Sequence, residues 1–266
     1  MSRAAEPGSW LQLDVDLGDA GGEMTRRADA VLSSLWARSD AAWWYLRKPP
    51  GLRVRIAGAP ALPAGLAAVL ASEREAGRIR GWVRGVYEPE CRRFGGPAGL
   101  AVAHDFLSAS AAAYLQLAAL RRDLDAPIDA TIAAVAIYDV LVQHLGADRP
   151  ERWDVWARLA ALYFGVRATP GTAARRDSAI DWSRLPGLAA PAERDVLSSA
   201  FAAAKRVAGA FIDAVRTGDT ELGPRTFAVT LATFHWNVWA VERSAVRQAC
   251  DLMLAELDPC PRMEAP

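Results

Sequence analysis

The spacing of apolar residues along this chain changes near residue 90, from every second position to every third or fourth. A period of two belongs to strands with one buried face, and a period near 3.6 to helices with one buried stripe. Trp10–Leu17 (WLQLDVDL) alternates and reads as a strand. Gly21 and Gly22 lead into a helical pattern of Met24, Ala28, Val31 and Leu35. Trp43–Arg47 and Leu52–Ala57 read as strands joined by a hairpin-like Lys48-Pro-Pro-Gly51 connection. Pro63–Gly77 reads as a helix stopping at its glycine, and Ile79–Tyr87 alternates again. The order β-α-β-β-α-β is the ferredoxin-like split βαβ unit.

After Glu90 the stretches Pro97–Leu120, Pro127–Leu145, Glu151–Gly165, Ala192–Thr217 and Pro224–Leu257 all carry helical spacing. The sequence therefore predicts an α+β fold in a single domain spanning 1–266. Residues 1–93 form its α/β portion with basic strands, 94–258 its largely helical portion, and 259–266 a frayed tail. Arg167–Leu188, with two prolines and two glycines, reads as a long loop.

Charge separates along the same boundary. The net charge is zero, yet 42–93 carries +6, and 1–41 and 94–266 each carry −3. A neutral total argues against a general nucleic-acid binder, while a basic sheet region suits an acidic partner. Only Lys48 and Lys205 are lysines, so nearly all basic charge is arginine, which grips carboxylates with a planar fork. No apolar run reaches the roughly 18 residues a membrane span needs, and MSRAAEPGSW lacks a signal-peptide core. Cys91, Cys250 and Cys260 fit no zinc pattern or disulfide framework, which makes a reducing cytoplasm the expected compartment. No metal or cofactor motif is present, and none is expected.

Several residues could carry chemistry. Arg53 and Arg55 lie two apart in a strand, on the face opposite Leu52, Val54 and Ile56. Two like charges side by side suit an anion or a polarised carbonyl between them, or a solvated face paired with glutamates. Tyr87-Glu-Pro-Glu-Cys-Arg-Arg-Phe-Gly-Gly-Pro97 is a strand end turning into a helix start. Its Tyr87, Glu88, Glu90 and Arg93 put acid, base and cation in one short stretch, or form a structural turn with a local ion pair. Phe106, Ser110 and Tyr114 share a helix face with Ser108 off it, and taken alone they read as ordinary helix packing. His235 shares a face with Val238, Trp239 and Glu242; it is a catalytic residue or a satisfied core histidine. His104 and His144 are isolated and read as structural.

In order, WWYLR (43–47), LRVRI (52–56), YEPECRRFGGP (87–97), AHDFLSAS (103–110) and FHWNVW (234–239) resemble the glutamate-elimination, C-terminal domain of lantibiotic dehydratases. In eliminating members, two arginines and a histidine act on a glutamylated serine or threonine and expel glutamate. The resemblance maps these onto Arg55, with Arg53 beside it, Arg93 and His235. The usual Asp-Ser pair reads Ala109-Ser110 here, and the Asn-Arg after the histidine reads Trp239-Ala240. These departures bring the chain closer to the stand-alone thiopeptide pyridine synthases. Those enzymes join two dehydroalanines by a formal [4+2] aza-cycloaddition, then lose water and the leader peptide.

On that resemblance, His235, Tyr87 and Ser110 are expected to move protons, and Arg93 and Arg55 to polarise carbonyls. Arg53, Glu88, Glu90, Ser108, Tyr114, Trp236, Asn237 and Trp239 are expected around the substrate. The implied partner is a ribosomally made precursor peptide with an acidic leader and an azole- and dehydroalanine-bearing core, held on the basic strands. Other biosynthetic enzymes are implied too, since 266 residues leave no room for a glutamylation domain. Glutamate elimination by a split dehydratase subunit and non-catalytic leader binding are the alternatives.

Overall fold

The computed structural model describes residues 10–18, 24–58, 61–121, 124, 127–171 and 185–260. Four strands, β1 (Trp10–Asp16), β2 (Trp43–Lys48), β3 (Gly51–Ala57) and β4 (Gly81–Gly85), form an antiparallel sheet in the order β2-β3-β1-β4. Helices α1 (Met24–Trp36) and α2 (Ala64–Glu75) complete the β-α-β-β-α-β sequence of elements. Leu11, Leu13 and Val15 of β1 and Leu52, Val54 and Ile56 of β3 are buried in one core with Val31, Leu32 and Leu35 of α1 and Leu66 and Leu70 of α2.

Strand register fixes the other face as three cross-strand rows. The first is Trp44, Arg55, Gln12 and Gly85; the second Leu46, Arg53, Asp14 and Val83; the third Lys48, Gly51, Asp16 and Gly81. Exposure rises across them. Trp44, Arg55 and Gln12 are buried, Arg53 and Asp14 are half-buried, and Lys48 is exposed.

The chain leaves β4 through a 3-10 turn, Cys91–Phe94, into α3 (Pro97–Leu120). Gly95 takes φ 82°, and a Cβ there would stand 2.4 Å from Thr220 Oγ1, so glycine is required on both counts. Pro97 occupies the first turn of α3, where a missing N–H costs nothing. Then follow α4 (Ala130–His144), α5 (Arg149–Phe164), α6 (Leu185–Leu188), α7 (Pro191–Thr217), α8 (Pro224–Val238) and α9 (Arg243–Leu257). Every residue of α4 from Ala133 to Val142 is buried, which makes it the centre of the helical portion. Helices α3 and α8 pack against β2 and so cover the first row of the sheet's second face. No helix among the described residues is long and apolar enough to cross a membrane.

The α+β class and the order of elements match the sequence expectation. One predicted element divides. Pro224–Leu257 is two helices, because Trp239–Val241 closes a Schellman turn. Ala240 N–H donates to Asn237 O at 3.2 Å and Val241 N–H to Trp236 O at 2.9 Å, with Ala240 left-handed at φ 52°. Alanine gives no sequence signal at a position that glycine usually fills. The strand predicted over Ile79–Tyr87 contracts to Gly81–Gly85, and the predicted loop Arg167–Leu188 ends in the single turn of α6. Residues 172–184 of that loop and 261–266 of the tail lie outside the described residues.

Candidate functional site

An arginine–aromatic strip forms where the first row of the sheet meets α3, α8 and the segment after β4. Arg55 rises from β3 on the polar face and is 6% exposed. Its Nε donates to Gln12 Oε1 at 3.0 Å, and its guanidinium stands 4.3 Å from the Trp44 ring and 4.7 Å from the Tyr87 ring. Burial lowers the pKa of Arg55, with Tyr87 opposing the shift. Contact with two aromatic rings at once suits the broad, weakly hydrated guanidinium better than a compact ammonium.

Tyr87, just past β4, has its hydroxyl 2.6 Å from His104 Nε2. His104 lies on α3 against Trp10, with ring centroids 4.4 Å apart, and is buried. Burial first, then the Arg55 charge, lowers its pKa to about 4. Burial raises the Tyr87 hydroxyl to about 12, with Arg55 opposing. Near neutral pH the pair is therefore a phenol and a neutral imidazole, the arrangement in which Tyr87 O–H can donate to Nε2.

On the other side of Trp44, Phe234 of α8 meets its ring edge-on at 6.1 Å. The Arg93 guanidinium stands 4.9 Å above Phe234 and pairs with the Glu90 carboxylate at 2.7 Å. Arg93 also reaches Thr233 Oγ1 at 3.5 Å. The strip thus runs His104, Tyr87, Arg55, Trp44, Phe234, Arg93, from a buried end to an exposed one. Below Thr233 opens a cavity of about 450 Å³, lined by Tyr163, Trp236, Asn237 and Arg243 among others. Trp236 Nε1 is buried there without a hydrogen-bond partner.

Of the residues expected from the sequence, Arg55, Tyr87, Glu90 and Arg93 come together in this strip. Arg53 sits one row away, 3.5 Å from Asp14 Oδ1, and Glu88 is exposed in the segment after β4. Trp236 lines the adjoining cavity while packing on Tyr138 at 5.0 Å. The Ser108 hydroxyl is buried with no partner.

His235, Ser110 and Trp239 lie elsewhere, in the interior between α3, α4 and α8. His235 is 0% exposed. Its Nε2–H donates to Ala134 O at 2.9 Å, and Nδ1 stands 2.9 Å from Ser110 Oγ. Ser110 Oγ in turn accepts from Trp239 Nε1–H at 2.9 Å. Every polar atom of the trio has a partner, and burial lowers the His235 pKa to about 4. This is the environment of a satisfied core histidine, without a face for a peptide.

Asn237 points to the sheet instead, accepting from Arg47 N–H at 2.7 Å and donating to Arg47 O at 2.9 Å. Tyr114 donates to the Asp29 carboxylate at 2.9 Å, under the Arg47 guanidinium, 5.2 Å from the Tyr114 ring.

Sequence reasoning missed His104, Trp44, Phe234 and Gln12. His104 carried one readable signal. It lies two turns after Pro97, on the helix face that looks back at the turn holding Tyr87. Gln12 and Trp44 were readable only through register with Arg55. Among the described residues no group of three histidine, cysteine, aspartate or glutamate side chains could hold a metal ion.

The sequence profile described as lantibiotic biosynthesis dehydratase C-terminal matches residues 10–253. A search of curated proteins finds no significant sequence relative. Among solved structures, the chain superposes on the crystal structure of the tRNA-dependent lantibiotic dehydratase MibB from Microbispora sp. 107891, with TM-score 0.65 and 20% identity. The match covers 97% of this chain and 28% of MibB, so the likeness is one of fold over part of a longer protein.

Proposed function

The chain belongs to the lantibiotic biosynthesis dehydratase C-terminal family, and from that premise we propose that it acts on a ribosomally made precursor peptide. The reaction we assign is pyridine synthesis, the formal [4+2] aza-cycloaddition of two dehydroalanines with loss of water and leader. The observation that carries this reading over glutamate elimination is the closure of His235. An eliminating site needs its histidine at the glutamylated residue, and here both ring nitrogens are engaged in the interior. The arginines are also poorly disposed to hold a glutamyl carboxylate. Arg93 is already neutralised by Glu90, and the Arg55 guanidinium is taken up by the Trp44 and Tyr87 rings.

The strip supplies what cycloaddition needs. Aromatic faces beside guanidinium groups suit flat azole rings and hold diene and alkene in register. Alignment of this kind is worth on the order of 7–11 kcal/mol at the ideal limit. One dehydroalanine must first become a 2-azadiene. The neighbouring amide loses its N–H proton while its oxygen gains one. With His104 in its Nε2–H tautomer, Tyr87 O–H protonates the amide oxygen and regains a proton from His104 Nε2–H. The amide N–H proton returns to His104 through solvent, and an Arg55 N–H polarises the carbonyl. Two carbon–carbon bonds then close the ring. Hydroxyl and a proton leave as water, and the leader amide departs with the final proton to give the aromatic ring. No cofactor enters this balance.

The test is mass spectrometry on purified protein with two substrates. A leader-bearing, azole-containing bis-dehydroalanine peptide is expected to yield a macrocycle lighter by water and the leader fragment. Release of glutamate from a glutamyl-serine peptide would establish elimination instead. No mass change with either would leave leader binding alone.

A further inference from the structure

The sheet has one closed border and one open border. At β2, the Asn237 side-chain amide bridges the backbone N–H and C=O of Arg47. At β4, the inner edge pairs with β1, and no described strand pairs with the outer edge. Alternate residues of such a strand turn N–H and C=O outward. β4 carries no proline and has a glycine at each end. Val83 is 63% exposed, and Val86 just beyond the strand is 80% exposed.

The surroundings are basic. A cleft of about 600 Å³ opens between the start of β4 and the β2–β3 hairpin. Lys48, Arg80 and Val83 line it, together with Arg53, Asp14 and Asp16. Asp14 faces Arg53 at 3.5 Å, and Asp16 accepts from Gly18 N–H at 2.7 Å. Lys48, Arg80 and, on β4 itself, Arg84 have no ion-pair partner among the described residues.

Register ties this border to the strip. Val83 belongs to the second cross-strand row, and the next row, about 7 Å along the strand, holds Gln12, Arg55 and Trp44. A peptide lying along β4 therefore runs from the cleft to the Arg55–Tyr87 end.

We propose that the outer edge of β4 takes an extended acidic segment of the peptide substrate as a fifth strand. Its carboxylates lie by Arg80 and Arg84, and on the opposite face of the added strand an apolar side chain packs on Val83. This rests on the reading that the substrate is a peptide. Main-chain bonds supply affinity in strand addition, and the flanking charges select the segment.

The test uses the intact chain and a fluorescein-labelled twelve-residue peptide alternating glutamate with valine, followed by fluorescence anisotropy. The double variant Arg80→Glu, Arg84→Glu should bind at least tenfold more weakly with unchanged thermal melting. Replacing every glutamate of the probe by glutamine should weaken binding similarly. Methylating the peptide nitrogens at one alternate set of residues should abolish binding, and methylating the other set should leave it within twofold. Equal binding by both methylated peptides, or wild-type affinity in the double variant, overturns the proposal. Strand-like binding without turnover of a bis-dehydroalanine peptide would keep this edge and sink the chemical reading. Turnover without such binding would do the reverse.

Discussion

Tyr87 and His104 test the chemistry most directly, because they touch each other and lie beside the one deeply buried arginine of the strip. Tyr87→Phe keeps the ring that stacks on Arg55 and removes only the proton. Turnover of the bis-dehydroalanine peptide should fall about 10²-fold, within the range of a lost general acid, with KM little changed. His104→Gln should cost as much, and the double variant little more, since the two act as one relay. Single-turnover rates read all three.

His235 tests stability instead. Its folded pKa, about 4, lies below the ordinary 6.5. The unfolded chain therefore binds the proton first as pH falls, and the stabilisation present above pH 6.5 is lost on the way down to pH 4. The shift corresponds to about 3 kcal/mol at 1.36 kcal/mol per unit. Denaturation curves at pH 7 and pH 4.5 should show His235→Gln less pH-dependent than wild type by about 2.5 kcal/mol, the part of the shift that falls in that window. His104 titrates in the same window in both proteins and drops out of the difference.

At the scale of elements, the break between α8 and α9 decides where the late aromatic residues point. Phe234 meets the strip and His235 the interior, while Asn237 closes the β2 edge. Three neighbours on one helix thus serve three different surfaces. Ala240 holds the break at φ 52°. A left-handed alanine costs about 1 kcal/mol or more, which glycine avoids. Ala240→Gly should raise urea-denaturation stability by up to about 1 kcal/mol without moving the site. Asn237→Ala should lower it by about 2 kcal/mol, the loss of two backbone-directed hydrogen bonds at half-buried positions.

At the scale of the molecule, the +6 segment 42–93 lies between flanks of −3 each. It contains the open edge and, of the strip, Trp44, Arg55, Tyr87 and Arg93. Opposite charges on a folded surface neutralise each other only within a Debye length, about 8 Å at physiological salt. An acidic peptide at β4 therefore meets the local basic charge rather than the neutral total. Affinity for a leader-bearing peptide should fall roughly tenfold between 50 and 500 mM salt, while the melting temperature stays nearly constant. Isothermal titration at the two ionic strengths checks this.

The sequence by itself determined the elements and their class. Period and punctuation are local properties, so alternation in WLQLDVDL and in the 52–57 strand gave β1 and β3, and helical spacing gave the bundle. It also placed Arg55, Tyr87, Glu90 and Arg93 in chemically credible segments. Tertiary structure alone decided which of them meet. His104 and Tyr87 are 17 residues apart, Trp44 and Phe234 are 190 apart, and no local pattern encodes either pairing. The fate of His235 turned on the same physics. Its helical face was legible, but whether that face looked onto a cavity or onto Ala134 depended on how α4 packs against α8. Burial and hydrogen-bond closure arise from packing, and packing is set by all the helices together.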